Sequence, residues 1–515
     1  MNNKMKTKIM FINPPQTNNI NVKYNNIKFP LGFLYMGGIL EKNGFQVKIL
    51  DCPIYYKKKR KIDSNTVKIG LFSEDIEKEI KEFQPDIVGV SCAYTAYESD
   101  SFELIELIKK ISKEINKKML ITVGGAHTSA NSEYVLRNKN IDITIIGEAE
   151  ETILEIAKKY EEKHLSEKDL LKIKGIGFRY KEKIKINHPR GRIKNLDKIN
   201  AAWHLVDMNL YFQHPDNSLV TMRGPSVDIV TSRGCPGNCV FCSIRTVWGR
   251  VWIGRSAKNV VDELEMLNKK YGARHFRIFD DNLTLDRNRI IEICNEIIRR
   301  KLDIKWDTPN GVAFWTLDEE VLKKMKKAGC YRITFGIESC SKDTQRYIKK
   351  IADLKKIDFL IDLCHKIGIW ICATFIIGFP YETSKELEIT TNYITNSKIN
   401  FAFLCIAQPY QGTDLYDDFK KEKLLKEFQP DSNVLKSKYN TKYFTSEELN
   451  QIRVSTLRKF YINRAISYLN PIIFYKELLS KIRSFEDLKY ILKNLNNLVF
   501  VLSFVLAVNK QKNKD

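Results

Sequence analysis

The chain opens on an alternation of short apolar runs with longer stretches whose apolar residues recur every three or four positions. The runs fall at residues 8–13, 46–51, 86–91, 119–123 and 141–146. Amphipathic stretches lie between and after them, at 31–43, 74–83, 102–115 and 150–163. Runs this short suit buried strands, and the longer periodicity suits helices, so residues 1–163 predict a Rossmann-like, doubly wound parallel sheet. Ligands of such sheets sit on loops at the carboxyl ends of the strands.

Residues 164–220 read as a connector, with a small hairpin in GIGFRY and KIKINHP and an irregular stretch through Trp203, His204 and Pro215. The alternation resumes over 221–416. Its strands are expected at 228–232, 275–280, 304–308, 332–338, 369–377 and 401–407. Six strand–helix units in succession predict a partial (β/α)6 barrel with its chemistry at the strands' carboxyl ends. Residues 417–515 read as helical. Their apolar run at 498–508 is only 11 residues long and is interrupted by Ser503. A bilayer crossing needs about 20. A packed terminal helix is the expectation, and shallow peripheral membrane contact helped by Lys510, Lys512 and Lys514 is the competing reading.

Composition changes this picture little. An apolar fraction of 43% over 515 residues suits an enzyme with more than one core. The formal charge of +23 would suit a nucleic-acid partner, but the lysines are dispersed among glutamates on helix faces rather than gathered beside aromatics. Nucleic acid is therefore not the expected ligand. The start has no secretory pattern, and 11 cysteines are too sparse for a disulfide framework, so a reducing cytoplasm is expected and clustered cysteines read as metal ligands.

One such cluster stands in RGCPGNCVFC, directly after the first barrel strand. Cys235, Cys239 and Cys242 are spaced C-x3-C-x2-C on one tight loop, where three thiolates can hold three irons of a 4Fe–4S cluster and leave the fourth open. Zinc would need a fourth ligand nearby, yet no histidine lies between Cys242 and His275.

This spacing resembles the radical S-adenosylmethionine (SAM) superfamily. The resemblance implies that SAM chelates the open iron and is cleaved by electron transfer to a 5′-deoxyadenosyl radical. It also implies an external electron donor such as flavodoxin or ferredoxin. Phe241 matches the aromatic near the adenine, and FDDN (279–282) the strand end that meets the methionyl amino group through Asp280 or Asp281. Those two residues could instead cap the following helix, as Asp281 or Asn282 would. GIES (336–339) resembles the ribose-binding segment, with Glu338 and its neighbour Ser339. FIIGFPYET (375–383) resembles the segment whose backbone meets adenine at Gly378, with Thr383 as a helix cap. QPYQGTDLY (408–416) resembles the barrel-closing segment.

The N-terminal sheet resembles the cobalamin-binding domain of one large radical SAM subgroup, on INPP (12–15), VGVSCA (88–93), VGGAHTSA (123–130) and IGEAEE (146–151). The resemblance implies cobalamin contacts at Asn13, Ser91, Gly124, Gly125, His127, Gly147 and Glu148, the glycines giving close approach to backbone. The Asp-x-His-x-x-Gly motif that supplies a histidine to cobalt in other cobalamin domains is absent, since the first loop reads NPPQTNN. His127 is expected to be a loop hydrogen-bonder, and Cys52 and Cys92 small buried residues.

Together these resemblances imply a cobalamin-dependent radical SAM methyltransferase acting on an unactivated carbon of a small metabolite, natural product or lipid-like substrate. The subgroup of anaerobic magnesium-protoporphyrin IX monomethyl ester cyclase shares the motifs, so cyclisation or ring rearrangement is the alternative. A tRNA methylthiotransferase would need three further N-terminal cysteines and a β-barrel RNA module. This chain has two such cysteines and a helical tail. A non-catalytic cobalamin sensor would leave the cysteine cluster without a role.

Overall fold

The computed structural model describes residues 6–22, 27–163, 165–214, 221–425, 438–482 and 484–493. It divides into two compact units. The first holds the described residues before 215 together with 243–253, and the second holds the rest.

In the first unit, strands β1 (Lys8–Asn13), β2 (Gln46–Asp51), β3 (Ile87–Ser91), β4 (Leu120–Gly124) and β5 (Ile143–Ile145) lie within two residues of the expected runs. They form a parallel sheet in the order β2-β1-β3-β4-β5. The alternating pleat explains the double winding. Met10 and Ile12 face one core, with Ile76 and Ile80 of helix α2 (Ser73–Phe83) and Leu104 and Ile108 of α3 (Glu98–Glu114). Ile9 and Phe11 face the other, with Phe33 and Leu40 of α1 (Leu31–Lys42) and Ile153 and Ile156 of α5 (Glu150–Glu161).

Two local expectations need correction. His127, expected on a loop after the fourth strand, stands in the first turn of helix α4 (Ala126–Val135). The segment mixes Ser, Thr, Asn and His without an apolar stripe, so periodicity could not reveal it. The predicted hairpin exists as β6 (Ile176–Tyr180) and β7 (Lys183–Ile186), but β6 pairs antiparallel with β5 and continues the first sheet. Pro215 and the apolar run 498–508 lie outside the described residues.

The second unit carries six parallel strands in sequential order, as a partial barrel requires. They are β8 (Ser226–Ile229), β9 (His275–Ile278), β10 (Lys305–Val312), β11 (Cys330–Glu338), β12 (Trp370–Ile377) and β13 (Phe401–Ile406). Their crossovers are helices α6 (Ala257–Tyr271), α7 (Arg287–Arg299), α8 (Glu319–Lys327), α9 (Leu354–Ile367) and α10 (Ser384–Asn396). The first strand is shorter than expected, and residues 232–233 form a separate two-residue strand. Pairing register aligns Asp228, Arg277, Asp307 and Arg332 in one row across four strands. Arg277 Nε donates to Asp228 at 2.5 Å, and Arg332 bonds Asp307. Alternating signs let four inward charges be buried as pairs.

Helices α11 (Ser446–Ser467) and α12 (Pro471–Glu477) follow the sheet. Beyond them, Leu478, Ile482, Tyr490 and Ile491 pack on Met222, Tyr331, Trp370 and Phe401. The last three of those residues open or nearly open their strands, so this C-terminal segment covers the amino ends of the sheet.

Candidate active site

The cysteine loop leaves the carboxyl end of β8. Cys235, Cys239 and Cys242 are partly exposed, and none is in a disulfide. Gly237 lies between two of the thiols, where a Cβ would stand 3.4 Å from Cys235 Sγ and 3.8 Å from Cys239 Sγ, ordinary contact distances. Its N–H also points at Cys235 Sγ, 3.4 Å away. Asn238 Oδ1, inside the loop, is buried without a partner. Among the described residues no three ligating groups converge on one point. A cubane asks each thiolate for a different iron, so this donor set fits a 4Fe–4S cluster better than a single ion.

Asp280 and Asp281 hold this loop. Asp280 Oδ1 accepts from Thr231 N at 2.5 Å, and its Oδ2 accepts from the hydroxyls of Thr231 at 2.6 Å and Ser232 at 2.5 Å. Asp281 accepts from Gly234 N at 2.7 Å, one residue before Cys235. Arg289 donates to Thr231 O at 2.6 Å and to its hydroxyl at 2.9 Å. The cap of the following helix is Asp286, accepting from Arg289 N at 3.0 Å, and not Asp281 or Asn282.

Glu338, the last residue of β11, has a left-handed φ of +65°. Such backbone is costly for a non-glycine residue, and here it accompanies a carboxylate at a strand's carboxyl end. Its Oε1 accepts from Lys350 Nζ at 2.9 Å and its Oε2 from Thr374 Oγ1 at 3.3 Å. A Cβ on Gly336 would stand 2.7 Å from Lys350 Nζ and 2.8 Å from Glu338 Oε1, so a larger residue there would displace the ends of both side chains. Burial alone would lower the Lys350 pKa, but Glu338 and the thiols of Cys239 and Cys242 outweigh it and hold the ammonium above its usual range. Sequence reasoning missed Lys350, because one lysine in the run KK-I-A-D-L-KK looks like any solvated lysine. Ser339 turns away, its buried hydroxyl meeting Thr390 Oγ1 at 3.2 Å.

Phe241 stands 6.1 Å, centroid to centroid, from Phe379, which in turn lies 6.0 Å from Tyr347. Gly378 has a φ of +85°, and a Cβ there would meet Leu449 at 3.0 Å, so its close approach is to protein. Its N–H donates to Glu382 Oε2 at 2.7 Å. Burial pushes the Glu382 carboxyl up to about 8 against the bonds from Gly378 and Phe379. Glu382 was not singled out by sequence either. Thr383 does cap α10, with Thr383 N donating to Glu386 at 2.7 Å.

In the first unit the expected cobalamin residues also gather at strand ends, but most of their side chains are engaged. Asn13 Nδ2 donates to Asp51 at 2.7 Å. Glu148 Oε2 accepts from Arg192 Nε and Ile193 N, both at 2.8 Å. A Cβ on Gly125 would lie 2.6 Å from Ala93 Cα, so that glycine serves backbone packing. His127 is buried, with Nε2 on Glu98 at 2.5 Å and Nδ1 3.0 Å from Thr95 Oγ1. It is a hydrogen-bonder, as expected, but on a helix. Ser91, Gly124 and Gly147 supply backbone at the sheet's carboxyl edge, where Gly124 meets nothing closer than 3.8 Å. Glycine keeps side chains off this edge, although Ser91 O accepts from Ser101 Oγ at 3.0 Å, Gly124 O accepts from Cys92 N at 2.8 Å and Gly147 N donates to Ser129 Oγ at 3.0 Å.

Comparison with known proteins agrees with both halves. The B12 binding domain matches residues 19–157, and the Radical SAM superfamily matches residues 229–394. An uncharacterised methyltransferase of Pyrococcus horikoshii is 32% identical over 479 residues, 92% of this chain and 94% of that protein. Cytidylyl-2-hydroxyethylphosphonate methyltransferase of Streptomyces wedmorensis is 30% identical over 75% of this chain and 77% of its own. The anaerobic magnesium-protoporphyrin IX monomethyl ester cyclase of Cereibacter sphaeroides is 28% identical over 76% and 62%. Among solved structures, the radical SAM methyltransferase TsrM of Kitasatospora setae, with cobalamin and a 4Fe–4S cluster bound, superposes over 98% of this chain and 100% of its own, with a TM-score of 0.67 at 15% identity. The cobalamin-dependent enzyme OxsB with aqua-cobalamin bound superposes over 97% of this chain and 72% of its own, with a TM-score of 0.68 at 17% identity.

Proposed function

Because the chain belongs to the B12-binding radical SAM enzymes, with a 4Fe–4S cluster, SAM and cobalamin as cofactors, we propose that it methylates an unactivated carbon of a small-molecule substrate. The observation that carries the reading is the likeness to a protein named as a methyltransferase along 94% of that protein's length. When bound, cobalamin supplies a transferable methyl group, and the cluster with SAM supplies a radical able to take hydrogen from carbon.

The chain's own residues have distinct tasks in this reading. Cys235, Cys239 and Cys242 hold three irons. Asp280 and Asp281 fix the loop that carries them. Glu338 accepts from the ribose hydroxyls, exchanging its bond to Thr374 for one to the ligand. Lys350 offsets part of the negative charge of Glu338, Cys239 and Cys242. Phe241 flanks the adenine.

Reduction from outside is required, since none of these side chains is an electron source. The test needs no substrate. Anaerobic protein carrying cluster and cobalamin, given a chemical reductant and SAM, should release S-adenosylhomocysteine in proportion to bound cobalamin. 5′-Deoxyadenosine without any S-adenosylhomocysteine would instead favour cyclisation or rearrangement.

A further inference from the structure

The C-terminal helices of the second unit carry a surface with no part in the chemistry above. Ile462, Ile466 and Leu469 follow at i, i+4 and i+7 along the end of α11 and just past it, and all are exposed. Ile472 and Tyr475 of α12 extend the strip, and Phe485 lies beyond them. Leu469 is 80% exposed and Phe485 69%, values far from a packed core. Exposed aliphatic and aromatic side chains this concentrated mark a surface that meets something.

Within residues 458–489 the exposed charges are of one sign. Arg458, Lys459, Lys476 and Lys489 are exposed. The carboxylates of the same stretch are withdrawn: Glu477 is buried against Arg464, Glu486 bonds Arg223, and Asp487 is buried and accepts from Ser484. A second copy of the chain meeting this face about a two-fold axis would place like charges opposite one another. A bilayer rich in acidic headgroups offers both complements, acyl chains for the strip and phosphates for the cations.

Position agrees. The segment that follows the strip covers the amino ends of the strands, whereas the cysteine loop, Asp280, Glu338 and Gly378 stand at the carboxyl ends. Docking on this face therefore leaves the chemical end of the sheet open. No described helix is long and apolar enough to cross a membrane, so the contact is peripheral.

We infer that the apolar strip Ile462–Ile466–Leu469–Ile472–Tyr475 with its flanking lysines docks the enzyme on an anionic lipid surface. The test is co-sedimentation of the full-length, cluster-loaded protein with phosphatidylcholine vesicles, with and without phosphatidylglycerol. Phosphatidylglycerol should raise binding at least about tenfold, with salt reversing the gain, as about 1 kcal/mol for each lysine near the surface implies. The combined variant Ile466→Glu, Leu469→Glu, Ile472→Glu should keep its iron and lose vesicle binding. Lys459→Glu with Lys476→Glu should lose only the preference for phosphatidylglycerol.

Absence of binding by the intact protein would overturn the inference. So would binding that survives the triple variant but disappears when residues 494–515 are removed, which would assign it to the terminal run alone. A self-associated protein that the triple variant renders monomeric, with no vesicle binding in either form, would give the face to a second copy.

Discussion

The two sheets present their carboxyl ends to ligands in different ways. In the second unit the strand ends carry side chains whose chemistry is specific: three thiols, a strained glutamate and a lysine drawn toward them. In the first unit the polar side chains at the strand ends are occupied by the protein. Asn13 serves Asp51, Glu148 serves Arg192, and His127 serves Glu98. What remains there is backbone and glycine. The contrast follows from the ligands. Iron and a charged amino acid moiety need particular donors, whereas a large corrinoid can be held by shape, amides and apolar burial.

The sharpest way to break this contrast is to remove a thiol. Cys235→Ala, Cys239→Ala or Cys242→Ala should each abolish cluster assembly and SAM cleavage, taking iron from about four per chain toward zero. Cobalamin binding should persist in all three. A cysteine variant that keeps its iron and makes 5′-deoxyadenosine would remove the cluster assignment.

Asp280 and Glu338 separate holding the loop from holding the ligand. Asp280→Ala strands the Thr231 amide and the hydroxyls of Thr231 and Ser232, so it should cost about 1–3 kcal/mol of stability and lower the iron content. Glu338→Gln leaves the loop untouched. It should retain iron and weaken SAM binding by about ten- to a hundredfold, the loss of a charge-assisted bond. Denaturation curves, iron analysis and SAM titration on both variants decide the matter. Identical phenotypes would mean the two carboxylates share one role.

Much of this was legible in the sequence, and the failures have physical causes. Strands such as Lys8–Asn13 and Gln46–Asp51 were readable to the residue, because buried parallel strands are short apolar runs between turns. Helix α4 was hidden by its polar, stripeless composition. The cysteine loop was legible because its donors are close in sequence. Lys350 was not, since what distinguishes it is burial beside groups from other segments, and Glu382 was not, since its burial against the Gly378 amide four residues earlier leaves no mark in composition. The consumption of Asn13 by Asp51 was equally invisible, because the partner lies 38 residues away.

The amino ends of the second sheet hide charge as well. Lys481 is buried, donates to Asn400 at 2.9 Å and stands 4.4 Å from the Trp370 ring. Burial pulls its pKa down to about 7. The unfolded chain, with the ordinary lysine value of about 10.4, then binds more protons than the folded one across the interval between. Stability should therefore rise as pH rises from about 7 toward 10, and fall no further on this account below 7. Lys481→Met should flatten that slope and stabilise the protein near neutral pH by about 1–3 kcal/mol, a neutral side chain replacing a costly one. Thermal midpoints at pH 7 and 9 check it, and a variant as pH-dependent as the parent would show the lysine to be solvated.

The smallest expected effect is the most informative about the first sheet. Each ring nitrogen of His127 is engaged, Nε2 by Glu98 and Nδ1 by Thr95, on a side chain buried in the first turn of α4. To bind cobalt the imidazole would have to surrender one of these bonds, leaving the buried Glu98 or the half-buried Thr95 without it, at a cost of about 1–3 kcal/mol. The cobalt should therefore carry no protein nitrogen from this residue. Electron paramagnetic resonance of the Co(II) protein, recorded before SAM is added, should lack the triplet splitting of a coordinated nitrogen. His127→Ala should leave that spectrum unchanged while lowering the thermal midpoint, because Glu98 loses its partner. A triplet in the parent that vanishes in His127→Ala would reverse the contrast between the two sheets, since the cobalamin edge would then hold its metal by a side chain after all.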